Sequence, residues 1–339
     1  MIYCKLCIIP SSRPHIVIDK KGVCNACRNH QLKKRTDWKK REREFRNLIA
    51  FEKSLKGYSC VIPVSGGKDS TWQVIKCLEY GLRPLTVTWA PSLRTKIGYA
   101  NLRNLISLGV DNFDISFNPN EEKKTVKEAF LEEANPCLPM HSAIFSLPVE
   151  IVNAFKIPLI LWGENTAFEY GGSSVGPRLD IAWLQKHGAS QEFSHSVQVF
   201  MSYYFKWDPV QNFRIAEEHG FKAADHPVTG TYNFADIDDP IVSVHHWLKW
   251  YKFGFTRAFD NLSTEIRNGR FTRDQAIEKL TEIGEQPPLR AIDEFCQFID
   301  ISSKTFDTVC EKFRNRKVWK KEKGVWKVKD FLIKDWNWF

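Results

Sequence analysis

A chain of 339 residues with 43% hydrophobic and 26% charged side chains has ordinary globular usage, enough for a buried core and two domains. No stretch approaches the roughly 18 to 20 apolar residues that cross a bilayer, and Met1-Ile2-Tyr3-Cys4-Lys5 does not open a signal peptide, so a cytoplasmic protein is expected. The net charge of +9 keeps an acidic partner in view, nucleic acid included.

Four of the nine cysteines come first, as Cys4-x-x-Cys7 and Cys24-x-x-Cys27 with sixteen residues between the pairs. Two such knuckles supply a tetrahedral thiolate set for zinc, ahead of an iron–sulfur cluster or a redox pair. All four positions are then protein ligands, so the metal is structural, in a ribbon-like module over residues 1–32. Cys60, Cys77, Cys296 and Cys310 read as buried thiols. A basic helical linker follows over 33–57, with Lys33-Lys34-Arg35, Lys39-Lys40-Arg41 and Arg46 interleaved with Asp37, Glu42 and Glu44. Trp38, Phe45, Leu48 and Ile49 recur at helical spacing, which favours a solvated helix with one packed face over an RNA-binding one.

The next segment carries the strongest signal. The apolar run Cys60-Val61-Ile62-Pro63-Val64 leads into Ser65-Gly66-Gly67-Lys68-Asp69-Ser70 and a helical stretch from Thr71, in the order strand, glycine turn, helix N-terminus. Paired glycines admit a close ligand, and free N–H groups at a helix start favour an anion, so a phosphate or pyrophosphate is the expected guest. Lys68 adds a point charge and the serines add hydroxyl donors. The G-x-x-x-x-G-K-[ST] nucleotide loop does not fit, since it needs Gly at Ile62 and Ser or Thr at Asp69, so a Walker-type kinase or GTPase is not expected. Asp69 suits magnesium held against pyrophosphate oxygens, or a helix N-cap.

Apolar strands at 60–64, 84–89, 112–117 and 157–163 alternate with helices at about 68–80, 97–108, 121–134 and 142–155, which predicts an α/β fold with a parallel sheet covered on both faces. Ligands of such sheets lie beyond the carboxyl ends of the strands, pointing to Ser65–Ser70, Trp89-Ala90-Pro91 and Gly163-Glu164-Asn165. Pro136-Cys137-Leu138-Pro139-Met140-His141 reads as a structured loop lining the pocket, ahead of a nucleophile–base pair or half a metal site. Residues 165–240 look irregular, with a flexible loop at Gly171–Pro177. Asp236, Asp238 and Asp239 read as solvated turn acids in preference to a second cation site, and His245-His246 as packed histidines. Helices resume over 243–316 with a capping box at Thr272-x-x-Gln275, and the Trp-rich end (Trp319, Trp326, Trp336, Trp338) forms a strand pair or packing tail.

The loop S-G-G-x-D-S resembles that of enzymes that split ATP into AMP and pyrophosphate. Together with both cysteine pairs, Thr86-Val87-Thr88-Trp89-Ala90-Pro91, Leu161-Trp162-Gly163-Glu164-Asn165 and Lys252-Phe253-Gly254-Phe255-Thr256-Arg257, it resembles the N-acetyl sugar amidotransferase family of bacterial surface-polysaccharide and nonulosonic-acid pathways. The resemblance implies an adenine-nucleotide α-hydrolase-like ATP-binding domain over 58–242 and a mostly helical region over 243–339. It implies ATP and Mg2+ as well as zinc, and adenylylation of an acetamido oxygen followed by displacement of AMP by ammonia. Lys68, Asp69, Glu164 and Asn165 would be catalytic, with Ser65, Gly66, Gly67, Ser70, Thr88, Trp89 and Gly163 around the nucleotide. His141, Tyr170, Arg178 and Arg257 would meet the substrate, a nucleotide-activated N-acetyl sugar. A separate glutaminase and a cyclase-like subunit would supply ammonia, and nucleic acid is disfavoured as a partner. The rival is an RNA-modifying enzyme that uses the same loop for sulfur transfer, but Met140 stands where a second thiol would pair with Cys137.

Overall fold

The structure, a computed structural model, describes residues 1–50, 57–172, 176–178 and 196–338. Five strands, β1 (Cys60–Pro63), β2 (Pro84–Trp89), β3 (Asp111–Ile115), β4 (Leu159–Trp162) and β5 (Val197–Phe200), form one sheet in the order β3-β2-β1-β4-β5. Every pairing in it is parallel. The α/β class expected from the alternation is therefore present. Strand order reverses between β1 and β4, so their carboxyl ends flank the crevice where such folds place ligands.

Period-two burial explains why both faces are covered. Cys60, Ile62, Leu159 and Leu161 pack with Phe45, Trp72, Leu102 and Leu105 on one side, while Val61, Ile160 and Trp162 pack with Ala143, Leu147 and Val152 on the other. The first layer is built by α2 (Trp38–Leu48), α3 (Lys68–Glu79) and α4 (Lys96–Ser107), the second by α6 (Leu138–Phe155). The intervening α5 (Pro119–Glu133) turns toward the C-terminal helices, where Phe130 stacks on Phe306.

The segment expected to be irregular contains β5 and the helix Pro209–Glu218. β5 is only four residues long, and what makes it a strand is its register against β4, from Leu159↔Val197 to Trp162↔Phe200. The loop expected at Gly171–Pro177 lies partly outside the described residues.

The helices Pro240–Phe253, Arg257–Arg267, Arg273–Ile283, Leu289–Phe298 and Ser303–Phe313 follow. The capping box is present: Thr272 Oγ1 accepts from Gln275 N at 3.2 Å, and Thr272 N donates to Gln275 Oε1 at 2.9 Å. The Trp-rich end is an antiparallel hairpin, β6 (Trp319–Glu322) and β7 (Val325–Val328), packed on the body with Trp319 edge-on to Trp250 at 4.9 Å. Lys323 and Gly324 in its turn both have positive φ, at 48° and 88°, matching the twist of a two-residue hairpin.

The cysteine-bearing segment shares one core with these helices; Cys4, Cys7, Cys24 and Cys27 cluster with Phe259, Leu262, Ala276 and Phe295. Arg13 Nε meets Asp260 Oδ1 at 2.6 Å, Ser12 Oγ donates to Phe253 O at 2.6 Å, and Arg273 Nε donates to Cys7 O at 3.3 Å. The basic run is not uniformly solvated either. Lys33, in α1 (Asn25–Lys34), is 2% exposed and pairs with Glu169 at 2.6 Å. In α2, Phe45 is buried while Arg41 lies over the Tyr203 ring at 3.7 Å.

Candidate functional site

The turn after β1 takes its shape from two glycines. Gly66 has φ 86°, and a Cβ there would lie 2.7 Å from the backbone nitrogen of Leu102. No side chain caps α3, which starts after Gly67, so its first-turn N–H groups face the crevice beside Lys68. Ser70 Oγ donates to Gly67 O at 3.0 Å and Ser65 Oγ accepts from Gly67 N at 3.3 Å, fixing the turn.

Asp69 is not the helix cap; it lies in the first turn. Its Oδ1 accepts from Trp207 Nε1 at 3.0 Å and Asn212 Nδ2 at 2.9 Å, while its Oδ2 pairs with Lys68. Three elements thus aim one carboxylate at the crevice. Glu164, just past β4, is the second: burial, then the charge of Asp69, push its carboxyl up to about 7. Two converging carboxylates are the oxygen chemistry of a hard divalent cation, so Asp69 and Glu164 fit Mg2+.

Ser65 to Ser70, Thr88, Trp89, His141, Gly163, Glu164, Asn165, Tyr170 and Arg257 all line one cavity of about 950 Å³. Gly163 is pressed against Gln73, whose Oε1 would lie 3.1 Å from an added Cβ. Thr88 Oγ1 donates to Asn112 Oδ1 at 3.1 Å across to β3. Asn165 is 4% exposed and caps α7 (Thr166–Tyr170), its Oδ1 accepting from Phe168 N at 3.2 Å, so its amide shapes the wall. Arg178 is not brought to this cavity: its backbone bridges to Val199.

A second, charged part of the cavity lining was hardly legible in the sequence. It comprises Arg13, from between the cysteine pairs, with Asp236, His246, Lys249, Arg257 and Asp260. Asp236 is no solvated turn acid: it meets Arg257 Nε at 3.0 Å and His246 Nε2 at 3.5 Å, and although burial pushes its carboxyl up, the Arg257 charge and the His246 ring N–H hold it well below the usual range. Asp238 is pressed against Gly98, with 2.8 Å between its Cα and a Cβ built there, and burial raises its carboxyl. Asp239 is 3% exposed and caps the helix Pro240–Phe253 through Ile241 N at 2.9 Å. The three acids are drawn in because α4 packs on their loop, with Thr95 N donating to Asp238 O at 3.0 Å.

Cys137 does not line the pocket. It is fully buried at the start of α6, its thiol 3.7 Å from Ile241 O, and burial raises its pKa well above the ordinary thiol value. His141 sits one turn on, inside the helix, and its ring is edge-on to His245 at 5.9 Å.

The four N-terminal cysteine sulfurs lie within 4.8 Å of one another. Cys4 and Cys27 are separated by 3.9 Å and Cys7 and Cys24 by 3.8 Å. A tetrahedron with metal–sulfur bonds of about 2.3 Å has edges of about 3.8 Å, so the donor set fits zinc. Cys24 N and Cys27 N point at Cys4 and Cys24 sulfurs at 3.3 and 3.4 Å, and the buried Arg267 guanidinium sits in the field of the thiolates.

Residues 192–332 match the family described as "LPS biosynthesis protein WbpG-like, C-terminal domain". That matched segment supplies Asp236, His246, Lys249, Arg257 and Asp260 to the cavity. No curated protein matches. Among solved structures, NMN synthetase from Francisella tularensis is similar at 10% identity and a TM-score of 0.40, over 80% of this chain and 96% of that one. A predicted subunit of tRNA methyltransferase from Methanocaldococcus jannaschii is similar at 16% identity and a TM-score of 0.30, over 47% of this chain and 76% of that one. At these scores neither likeness carries an argument about the reaction. Among the described residues no helix is long and apolar enough to cross a membrane.

Proposed function

We propose that the chain is an ATP-dependent amidotransferase of bacterial surface-polysaccharide synthesis, converting the acetamido group of a nucleotide-activated N-acetyl sugar into an acetamidino group with release of AMP and pyrophosphate. The observation that carries this reading is the shared cavity: the anion loop and a set of charged residues from the segment that matches the WbpG-like model line the same space. An amide oxygen is a poor leaving group, so a neutral amine displaces it only after conversion to a phosphate ester.

In this reading Lys68 and the first-turn N–H groups of α3 hold the departing pyrophosphate as its charge grows. Asp69 and Glu164 hold Mg2+, which neutralises phosphate charge when bound. Thr88 and Trp89 border the adenine end, and Asn165 with Gly163 keeps Glu164 in place. His141, Tyr170 and Arg257 border the sugar. Ammonia comes from a separate glutaminase with a cyclase-like subunit, in the cytoplasm, and the zinc module braces the substrate end through Arg13.

The test is AMP formation with ammonium present, adding nucleotide-linked N-acetyl sugars in one arm and bulk tRNA in the other. Sugar-dependent AMP with a product about one mass unit lighter is the expected result. AMP formed with tRNA alone would overturn it in favour of base modification, which the sealed Cys137 thiol already disfavours.

A further inference from the structure

The charged part of the cavity lining holds a side-chain chain that the reaction above leaves unused. On the helix Pro240–Phe253, His246 and Lys249 are three residues apart and so share a face. Lys249 Nζ lies 2.9 Å from His246 Nδ1, and His246 Nε2 lies 3.5 Å from Asp236 Oδ1. Asp236 is held from behind by Arg257 Nε at 3.0 Å and by Thr229 Oγ1 at 3.3 Å, with its backbone left-handed at φ 58°.

The bonding assigns the roles. The Asp236 carboxylate can only accept, so the ring hydrogen is on Nε2 and Nδ1 carries the lone pair that takes an N–H from Lys249. The ring stays neutral because burial, then the charge of Lys249, lower His246 to about 4. The other cations of this wall are committed: Arg13 is bonded to Asp260 at 2.6 Å and Arg257 to Asp236. Lys249 has only the imidazole as a hydrogen-bond partner among the described residues. Asp260, Arg257, Arg13 and Asp236 face it from the neighbouring elements, and His245 and His246 from its own.

Resting on the function proposed above, we propose that Lys249 is the proton acceptor of the nitrogen-transfer step, with His246 and Asp236 as positioning residues. Ammonia attacks the adenylylated imidate carbon; a C–N bond forms, and the carbon then bears the sugar nitrogen with its hydrogen, the adenylyl oxygen and an ammonium group. The neutral Lys249 amine takes one proton from that ammonium. The lone pair left on nitrogen expels AMP as the C–O bond breaks, giving the amidinium product. One proton has moved to Lys249 and returns to solvent after release. Burial first, with Arg257 and Arg13 in support, lowers Lys249 to about 8, a value suited to accepting and returning a proton near neutrality. Glu164 is not placed for this task, because it stands beside Asp69 at the phosphate end.

Two half-reactions separate this claim from the reading beneath it. Sugar-dependent exchange of labelled pyrophosphate into ATP reports adenylylation without ammonia; amidine formation from ammonium chloride reports nitrogen transfer. With a set of nucleotide-linked N-acetylhexosamines, Lys249→Met and Lys249→Arg keep the exchange within about threefold and lose transfer by about a hundredfold or more, the usual worth of a general base. Per unit of free ammonia, wild-type transfer rises with pH and levels off through about 8, and both variants lose that rise. His246→Gln and Asp236→Asn move its midpoint while exchange persists. Exchange and transfer falling together, neither falling, or a flat wild-type profile would each overturn the assignment while leaving the amidotransferase reading intact. No exchange with any sugar alongside AMP formed with tRNA would remove that reading and the assignment with it. A check free of substrate is acylation of the wild-type protein by acetic anhydride across pH, read by peptide mass. Lys249 should label with a midpoint near 8, and a midpoint like that of free lysine, about 10.4, would also overturn the proposal.

Discussion

Replacing Lys33 by Met tests how the cysteine-bearing segment holds the cavity wall. Lys33 is 2% exposed and Glu169 7%. Lys33 Nζ donates to Glu169 Oε1 at 2.6 Å and to Trp207 O at 2.5 Å. Burial dominates both partners, raising Glu169 and lowering Lys33 toward their neutral forms against their mutual attraction. Lys33→Met would leave a buried carboxylate without its cation, costing about 3–5 kcal/mol. That is a large part of the roughly 5–15 kcal/mol that separates folded from unfolded chains. Urea denaturation of wild type, Lys33→Met, Glu169→Gln and the double variant measures it, with the double variant recovering part of the loss. With Lys33 gone, the folded Glu169 pKa stands further above its unfolded value. The carboxyl then stabilises the fold at low pH and stops doing so as pH rises through the folded value. The loss should therefore be smaller at pH 5 than at pH 8. A cost below about 1 kcal/mol, as for a surface pair, would refute the buried-pair argument.

Three further outcomes follow from the site. Metal analysis should find one zinc per chain, and removing it with a chelator, or making Cys24→Ser, should lower the melting temperature and weaken sugar binding, because Arg13 is carried between the cysteine pairs. Gly66→Ala should cost about 1–2 kcal/mol in backbone strain alone, and the contact with Leu102 adds to it; calorimetric titration should show ATP affinity at least tenfold weaker. Glu164 titrates at about 7 when folded, above its unfolded value. Its contribution to stability without Mg2+ is therefore present below about pH 4.3 and lost as pH rises through about 7; denaturation at pH 5 and pH 8 should show that decline, and Glu164→Gln should remove it.

The half of the site that was legible lies on contiguous residues. Cys60 to Ser70 announce strand, turn and helix in one stretch, and Leu161 to Asn165 repeat the same logic at β4. Arg13, Asp236, the His246–Lys249 pair and Asp260 come from separate elements, and no local spacing joins them to one another. The acids at 236–239 look solvated because turns usually are; the packing of Gly98 against Asp238 reverses that, and only a tertiary contact could reveal it. Lys33 looks like its basic neighbours, yet its place on α1 turns it inward to Glu169. β5 was lost because four residues carry too little pattern, and its identity comes from β4 beside it.

The docking of the cysteine-bearing segment also bears on how the chain is made. Ser12 closes on Phe253, Arg13 on Asp260 and Cys7 on Arg273, across 241, 247 and 266 residues. Synthesised ahead of the helices it docks on, the cysteine-bearing segment cannot find its seat until those later residues have been made. Such distant closures slow folding. Zinc captured by the four thiolates would give these residues a shape of their own early, before the sheet and helices on which they dock have assembled.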